Sequence, residues 1–258
     1  MNTDFVLEGS TLIKYTGNAE NLIVPEEIIE IGQHAFSRCE SLRNITIPEG
    51  VEVIREGAFY RCRNLEHVEL PDSIRIIERY SFRSCTNLHS LKIPERIVKI
   101  GVCAFKGCYS LCQVELPKGL IVIGGGAFAH CSNLKKIDIP NGVQKIGESA
   151  FAGCVKLSGL LLPDDIKYLG EHAFDGCGNI LVCLLPNWKK LDIIKLEIVK
   201  KQKRLFIPAS VMSIDPKHVF LDLIEEYIVD EASKTYQSID GVLFTKDGSS
   251  LVPNYSWA

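Results

Sequence analysis

Hydrophobic and polar positions alternate in short segments that recur along the chain every 23 residues. In one unit, "CESLRNITIPEGVEVIREGAF" (39–59), the segment "ITIP" places Ile45 and Ile47 on one side and Thr46 on the other. This alternation of β-branched residues predicts a short strand with one buried face. Pro48 ends the strand, because proline cannot continue a hydrogen-bonded ladder.

The second half of each unit predicts another extended piece followed by a turn. In "GVEVIREGAF" the apolar Val51 and Ile54 are expected to be buried, and the following "AFxxC" predicts a helical turn. A strict period of this length is typical of a solenoid, in which one supersecondary unit is stacked many times. Neighbouring coils then lie about 4.8 Å apart, so equivalent residues stack in columns.

Two columns of near-identical residues carry most of the periodic signal. We expect them to form a structural ladder, in which the stacked rings and the aliphatic columns make one continuous core. The members of the ladder are Phe36, Phe59, Phe82, Phe105, Phe128, Phe151, Phe174, Cys39, Cys62, Cys85, Cys108, Cys131, Cys154 and Cys177.

The repeat resembles the BspA-like leucine-rich repeats, whose unit reads approximately "LxxIxIPxxVxxIGxxAFxxC". The resemblance covers residues 20–186, and the segments "LEGSTLIKYTG" (7–17) and "YQSIDGVLFTKDGSSLV" (236–252) resemble the hairpins that such proteins carry. It implies an α/β solenoid of the leucine-rich-repeat type, with a parallel β-sheet on the concave face and extended segments and helical turns on the convex side. It also implies a binding or adhesion role, and it implies no catalytic site.

We expect a single repeat domain over residues 1–258. Residues 1–19 would form an N-terminal cap hairpin, residues 20–186 seven regular repeats, and residues 187–258 a cap of degenerate repeats, helices and a C-terminal hairpin. The segments 187–204 and "KHVFLDLIEEY" (217–227) have the apolar spacing of amphipathic helices. Atypical ends of this kind cover the apolar face and open sheet edge that a terminal coil would otherwise expose.

The chain contains ten cysteines, and seven of them lie in the ladder. The simplest interpretation is a column of buried thiols, each able to donate a weak S–H hydrogen bond to a nearby carbonyl. Disulfides between coils and a zinc site are the alternatives; however, stacked side chains run parallel, and no paired C-x-x-C spacing occurs. Outside the ladder, Cys183 occupies a core position, and Cys103 and Cys112 are the candidates for a reactive thiol.

Charge and composition give no evidence for a nucleic-acid or membrane partner. The formal net charge is −3, which gives no basic field for nucleic acid, and no apolar run is long enough for membrane insertion. The start "MNTDFVLEGS" lacks the pattern of a secretory signal, so the localisation is unknown: the chain stays inside the cell, or a leader has been removed. The stretch Gly124–Gly126 lacks the Lys-Ser/Thr of a phosphate loop.

The outward positions of the predicted concave strands are the candidate binding face. Because the coils stack in register, the residues two and four positions before each proline form two columns. The candidate residues are Thr46, His67, Glu69, Lys92, Gln113, Glu115, Lys136, Asp138, Leu161 and Leu184. The signs of Glu69, Lys92 and Glu115 alternate as suits cross-strand neighbours. Leu161, Leu184 and Val182 make an apolar patch that either packs under residues 187–204 or meets a partner.

The sequence therefore predicts a non-enzymatic solenoid that binds an unidentified protein or surface ligand, as an adhesin-like or scaffold module, with self-association possible. It assigns no catalytic, metal-binding or cofactor-binding residue. Two alternatives stay open. One is a structural repeat segment of a larger cell-surface protein, and the other is a thiol-based redox-sensing module that uses Cys103 or Cys112.

Overall fold

The computed structural model of the chain describes residues 4–158, 160, 162–163, 166–177, 182–183, 204–207 and 225–249. The chain divides into two compact units, Met1–Ser158 with Asp165–Gly178 and Gly159–Asp164 with Asn179–Ala258. The single repeat domain over the whole chain stays a prediction.

The described elements are short strands, which we number in chain order. They are β1 (Phe5–Glu8), β2 (Thr11–Tyr15), β3 (Asn21–Ile23), β4 (Glu30–Ile31), β5 (Asn44–Thr46), β6 (Val53–Ile54), β7 (His67–Glu69), β8 (Ile76–Ile77), β9 (Ser90–Lys92), β10 (Lys99–Ile100), β11 (Gln113–Glu115), β12 (Val122–Ile123), β13 (Lys145–Ile146), β14 (Tyr168–Leu169), β15 (Val182–Cys183), β16 (Arg204–Ile207), β17 (Glu226–Val229), β18 (Tyr236–Ile239) and β19 (Val242–Thr245).

The strands of the first unit form two parallel stacks. Strands that end just before the repeat proline make what we call the first sheet, with β3-β5-β7 and β9-β11 as its hydrogen-bonded groups. The second sheet has the order β1-β2-β4-β6-β8-β10-β12-β13-β14 and is parallel except for the antiparallel pair β1 and β2. From β3 onward in the first sheet and from β4 onward in the second, paired residues such as Ile45 and Val68 are 23 positions apart. Equal spacing in the chain therefore becomes one column of side chains.

The core is the phenylalanine column, as the repeat predicts. Successive rings from Phe36 to Phe174 are stacked, with centroids 4.8–5.5 Å apart and interplanar angles of 4–11°. Ile45 and Ile47 are buried on the inner side of the first sheet, as expected. The prediction of a parallel solenoid of the leucine-rich-repeat type is confirmed.

The helical turn predicted at "AFxxC" is wrong. In the first regular repeat, the N–H groups of Ala35, Ser37 and Cys39 donate to the carbonyls three residues before them, over 3.0–3.2 Å. The intervening N–H groups of Phe36 and Arg38 donate instead to the next coil, over 2.8 Å each. His34 and Arg38 have φ of 57° and 61°, and such left-handed residues interrupt a right-handed helix. The segment is a run of tight turns whose alternate donors bind the neighbouring coil.

The three consecutive glycines have structural explanations in these turns. Gly126 has φ of 59° and occupies the same left-handed position as His34 and Cys103. A Cβ atom on Gly124 would lie 2.7 Å from the Ile100 carbonyl oxygen of the preceding coil. Left-handed geometry and close backbone approach are both conditions that favour glycine. The stretch therefore follows from the stacking of the coils.

Ser81 departs from a column of small residues. The equivalent positions are alanine in the other described coils, and the Ser81 hydroxyl is buried with no hydrogen-bond partner. An unsatisfied buried hydroxyl costs about 1–3 kcal/mol. We therefore expect Ser81→Ala to raise the free energy of unfolding by about 1–2 kcal/mol in equilibrium urea denaturation. The reciprocal change Ala104→Ser should lower it, and a loss of stability in Ser81→Ala would contradict the assignment.

The second unit contains a parallel group and a hairpin. Strands β15, β16 and β17 pair in parallel, and Val182 pairs with Leu205, again 23 residues later. Strands β18 and β19 form an antiparallel hairpin in which Ile239 faces Val242. The helices predicted over 187–204 and 217–227 lie almost wholly outside the described residues; at their edges, Arg204 and Glu226–Tyr227 are strand residues.

Candidate protein-binding face

The outward face of the first sheet brings the predicted columns together. Asn44 pairs with His67 and Thr46 with Glu69, while Ser90 pairs with Gln113 and Lys92 with Glu115. An isolated parallel bridge from Gln113 to Lys136 extends the first of the two columns by one more coil. His67, Glu69, Lys92, Gln113, Glu115, Lys136 and Asp138 are all exposed, and Thr46 is partly exposed. This face is therefore polar and open over the five successive coils from Thr46 to Asp138.

Hydrogen bonds between coils order part of this face. The Asn44 side-chain amide donates to the Asn21 side-chain oxygen over 2.5 Å. The Thr46 hydroxyl donates to a Glu69 carboxylate oxygen over 3.2 Å. Each contact joins residues 23 apart, so side chains as well as backbones stack in register. The N-terminal part of the face is preorganised, which reduces the entropy lost when a partner binds.

The expected alternation of charges gives no ion pairs. Among the described residues, Lys92 forms no ion pair with Glu69 or Glu115, although Lys92 and Glu115 are direct neighbours. Lys136 instead pairs with Asp138 of its own strand segment, with 3.0 Å between nitrogen and oxygen. The charges on Lys92, Glu69 and Glu115 are consequently available to a partner.

Two residues at the edge of the face were not among the predicted site residues. Ile23 is 75% exposed, two positions before Pro25, so it begins the same column as Thr46. Arg43 beside the first sheet lies 2.7 Å from Glu66 and 3.7 Å from Glu20. Extending the proline rule one repeat upstream would have found Ile23. The rings of His67 and His89 also stack, with their centres 6.1 Å apart. The two residues belong to different columns, so the repeat pattern does not predict this contact.

The C-terminal end of the predicted face is outside the described residues. Leu161 and Leu184 belong to this part, and Val182 is described only as a strand residue. The apolar patch predicted there stays a prediction.

The cysteine column is a ladder of thiols that are buried from Cys62 to Cys154 and half-buried at Cys39 and Cys177. From Cys62 to Cys177, each thiol donates to the phenylalanine carbonyl 26 residues earlier, over 2.9–3.3 Å. The acceptor lies in the turn of the preceding coil. Burial raises the pKa of Cys108 to about 12, because a thiolate at this position would lose its hydration. Burial also raises the pKa of Cys85 and Cys131, so these thiols keep the neutral form that the hydrogen bond requires.

The two candidate reactive thiols lie in different environments. Cys112 is exposed, and its thiol donates to the His89 carbonyl over 3.3 Å. Cys103 is half-buried at a left-handed turn position, next to Gly126. Within the described residues, no group of three or more His, Cys, Asp or Glu side chains could hold a metal ion.

The periodic core, the two parallel sheets and the proline-terminated strands define a leucine-rich-repeat solenoid. The chain belongs to the family described as BspA type leucine rich repeat region, whose model matches in six copies over residues 9–132 and 99–222. No helix within the described part of the chain has the length and hydrophobicity that a bilayer span requires.

Solved structures of bacterial proteins share this fold. A leucine-rich repeat protein of T. pallidum is 29% identical, with a TM-score of 0.63 over 74% of this chain and 87% of that chain. One from Bacteroides ovatus is 23% identical, with a TM-score of 0.52 over 86% and 74%. One from Eubacterium ventriosum is 22% identical, with a TM-score of 0.64 over 75% and 54%. The search of curated proteins returned no match.

Proposed function

We propose that this protein is a non-enzymatic binding solenoid that recognises another protein through the outward face of its first sheet. The supporting observation is the set of exposed charges on Glu69, Lys92 and Glu115, which lie side by side on rigid strands without ion pairs to one another. Charges arranged in this way provide electrostatic complementarity, which gives specificity and speeds association. Rigid strands also position such groups more accurately than loops do.

The sheet can carry such a site because its interior is independent of its surface. Ile45 and Ile47 are buried, while Thr46 between them faces outward. A change at an outward position therefore leaves the core in place. Repeat solenoids use extended faces of this kind for binding.

The test is a pull-down that compares two variants of equal charge change. In the first, Glu69→Lys, Lys92→Glu, Glu115→Lys and Asp138→Lys reverse charges on the first sheet. In the second, Glu26→Lys, Lys99→Glu, Glu148→Lys and Glu171→Lys reverse charges at exposed positions elsewhere. We expect the first variant to lose partners that the wild type and the second variant both capture. Equal capture by all three proteins would place the binding site elsewhere.

The thiol-sensing alternative has a separate test. Exposed Cys112 and half-buried Cys103 are the candidates, while the ladder thiols from Cys62 to Cys154 are buried. Under the binding proposal, a thiol reagent labels these buried cysteines only when the chain unfolds. Rapid alkylation of Cys103 or Cys112 at neutral pH, accompanied by loss of partner capture, would favour the redox module instead.

A further inference from the structure

A row of cations crosses four successive coils on the turn segments, away from the first sheet. We call Arg38, Arg61, Arg83 and Lys106 the basic row. Arg38 and Arg61 occupy equivalent positions, and so do Arg83 and Lys106. The two pairs lie in neighbouring columns and meet at Tyr60, because the guanidinium carbons of Arg61 and Arg83 lie 5.1 Å and 5.9 Å from the centre of its ring. Successive coils at this level are separated by 4.8–5.5 Å, as the phenylalanine rings beneath them show.

The basic row lacks the acidic partners that four other arginines have. Arg55 lies 2.7 Å from Glu30 and 3.0 Å from Glu78, and Arg43, Arg75 and Arg79 are likewise paired with glutamates. Within the described residues, no member of the basic row forms an ion pair. The chain as a whole has a net charge of −3, so this cluster opposes the overall charge. Concentrated positive charge of this kind attracts anionic ligands.

Two tyrosines contact the guanidinium groups of Arg61 and Arg83. The Arg61 guanidinium carbon lies 5.1 Å from the centre of the Tyr60 ring. Arg83 lies between two rings, 5.9 Å from Tyr60 and 5.4 Å from Tyr80. These cation–π contacts restrict the arginine side chains without neutralising their charge. The outward N–H groups are then ready for a ligand, and less conformational entropy is lost on binding.

The shape of the row indicates a thin, linear anion. It carries one cation per coil, and the neighbouring turn residue is small in three of the four coils: Ser37, Ser84 and Gly107, with Tyr60 beside Arg61. A chain with repeated charges can contact all four cations at once, and the separate weak contacts then reinforce each other. A globular acidic partner would contact a wider surface than one row provides.

The chemistry of the row favours sulfate groups on sugars. Guanidinium groups donate two parallel N–H bonds to oxyanions. Single-stranded nucleic acid binds where aromatic faces are open for base stacking, whereas Arg61 and Arg83 lie over the ring of Tyr60. We propose that the basic row binds a sulfated polysaccharide, independently of the protein-binding face on the first sheet.

The test measures binding to heparin at low ionic strength. The row variant carries Arg38→Gln, Arg61→Gln, Arg83→Gln and Lys106→Gln. The matched control removes four exposed lysines elsewhere, through Lys14→Gln, Lys99→Gln, Lys118→Gln and Lys135→Gln. We expect the row variant to lose roughly 100-fold or more in affinity, because each surface cation contributes roughly fivefold at an anionic surface. The control variant should retain wild-type affinity, and desulfated heparin should bind neither protein.

Single substitution keeps the test valid if the fourfold variant folds poorly. Arg38 is exposed and makes no tyrosine contact in the described structure, so Arg38→Gln should preserve the fold and weaken heparin binding roughly fivefold. Absence of heparin binding by the wild type, or equal losses in the row and control variants, would overturn the proposal. Equally tight binding of polyglutamate or single-stranded DNA would overturn the assignment to sulfated sugars.

Discussion

Replacement of Phe105 by alanine is expected to lower the free energy of unfolding by about 3–5 kcal/mol. The Phe105 ring is fully buried between Phe82 and Phe128, with both centroid distances at 5.4 Å. The coils are fixed on both sides by backbone hydrogen bonds, so they cannot collapse into the cavity. The lost ring contacts and the residual cavity therefore both contribute to the destabilisation.

Urea denaturation followed by circular dichroism measures this effect. Tyr109→Ala is the matched control, because the Tyr109 side chain is 53% exposed. Its loss should change stability by no more than about 0.5 kcal/mol. A cost below about 1 kcal/mol for Phe105→Ala would mean that the phenylalanine column is not the continuous core.

Alkaline pH is expected to unfold the protein through the thiol ladder. Burial raises the pKa of Cys108 from 9.0 to about 12, and burial also raises the pKa of Cys85 and Cys131. Because the folded state keeps these protons, their stabilising effect is complete below about pH 9 and is lost as the pH rises towards 12. Each such thiol then lowers the free energy of unfolding by about 1.4 kcal/mol per pH unit. Several thiols together can exceed the 5–15 kcal/mol that is typical of whole domains.

A double comparison isolates one thiol of the ladder. The stability difference between the wild type and Cys108→Ala is measured at about pH 8 and again at about pH 10.5, where it should be smaller by about 2 kcal/mol. A constant difference for Cys108→Ala would show that the ladder thiol is not held protonated by the fold.

Much of the fold followed from the spacing of a few residues. The columns of Phe105 and Cys108, and the inward direction of Ile45, were predicted because in-register stacking turns a chain period into a spatial column. The helical turn at "AFxxC" was wrong because the spacing of Phe and Cys is compatible with a helix and with tight turns alike. The choice depends on where the backbone N–H groups donate, and half of them donate to a neighbouring coil.

The positions of the candidate site residues were predictable from the sequence, and their side-chain contacts were less predictable. Glu69, Lys92 and Glu115 lie outward as the alternation predicts, but their charges do not pair. Such contacts depend on side-chain conformation, which the residue types at equivalent repeat positions do not specify. The Lys136–Asp138 ion pair joins two residues of the same coil, whereas the predicted columns run from one coil to the next.

The period, the buried columns and the class of fold follow from the amino-acid sequence alone, because each of these depends only on which residues recur at equal spacing. Which different columns meet depends on the three-dimensional arrangement of the side chains. The turns keep the 23-residue register of the strands, because the Arg61 N–H donates to the Arg83 carbonyl just as the Ile47 N–H donates to the Glu69 carbonyl, 22 residues later in both cases. Arg61 and Arg83 therefore belong to neighbouring columns, and both guanidinium groups lie against the ring of Tyr60. That contact joins the two columns into the basic row, and it depends on side-chain conformation, which the repeat period does not specify.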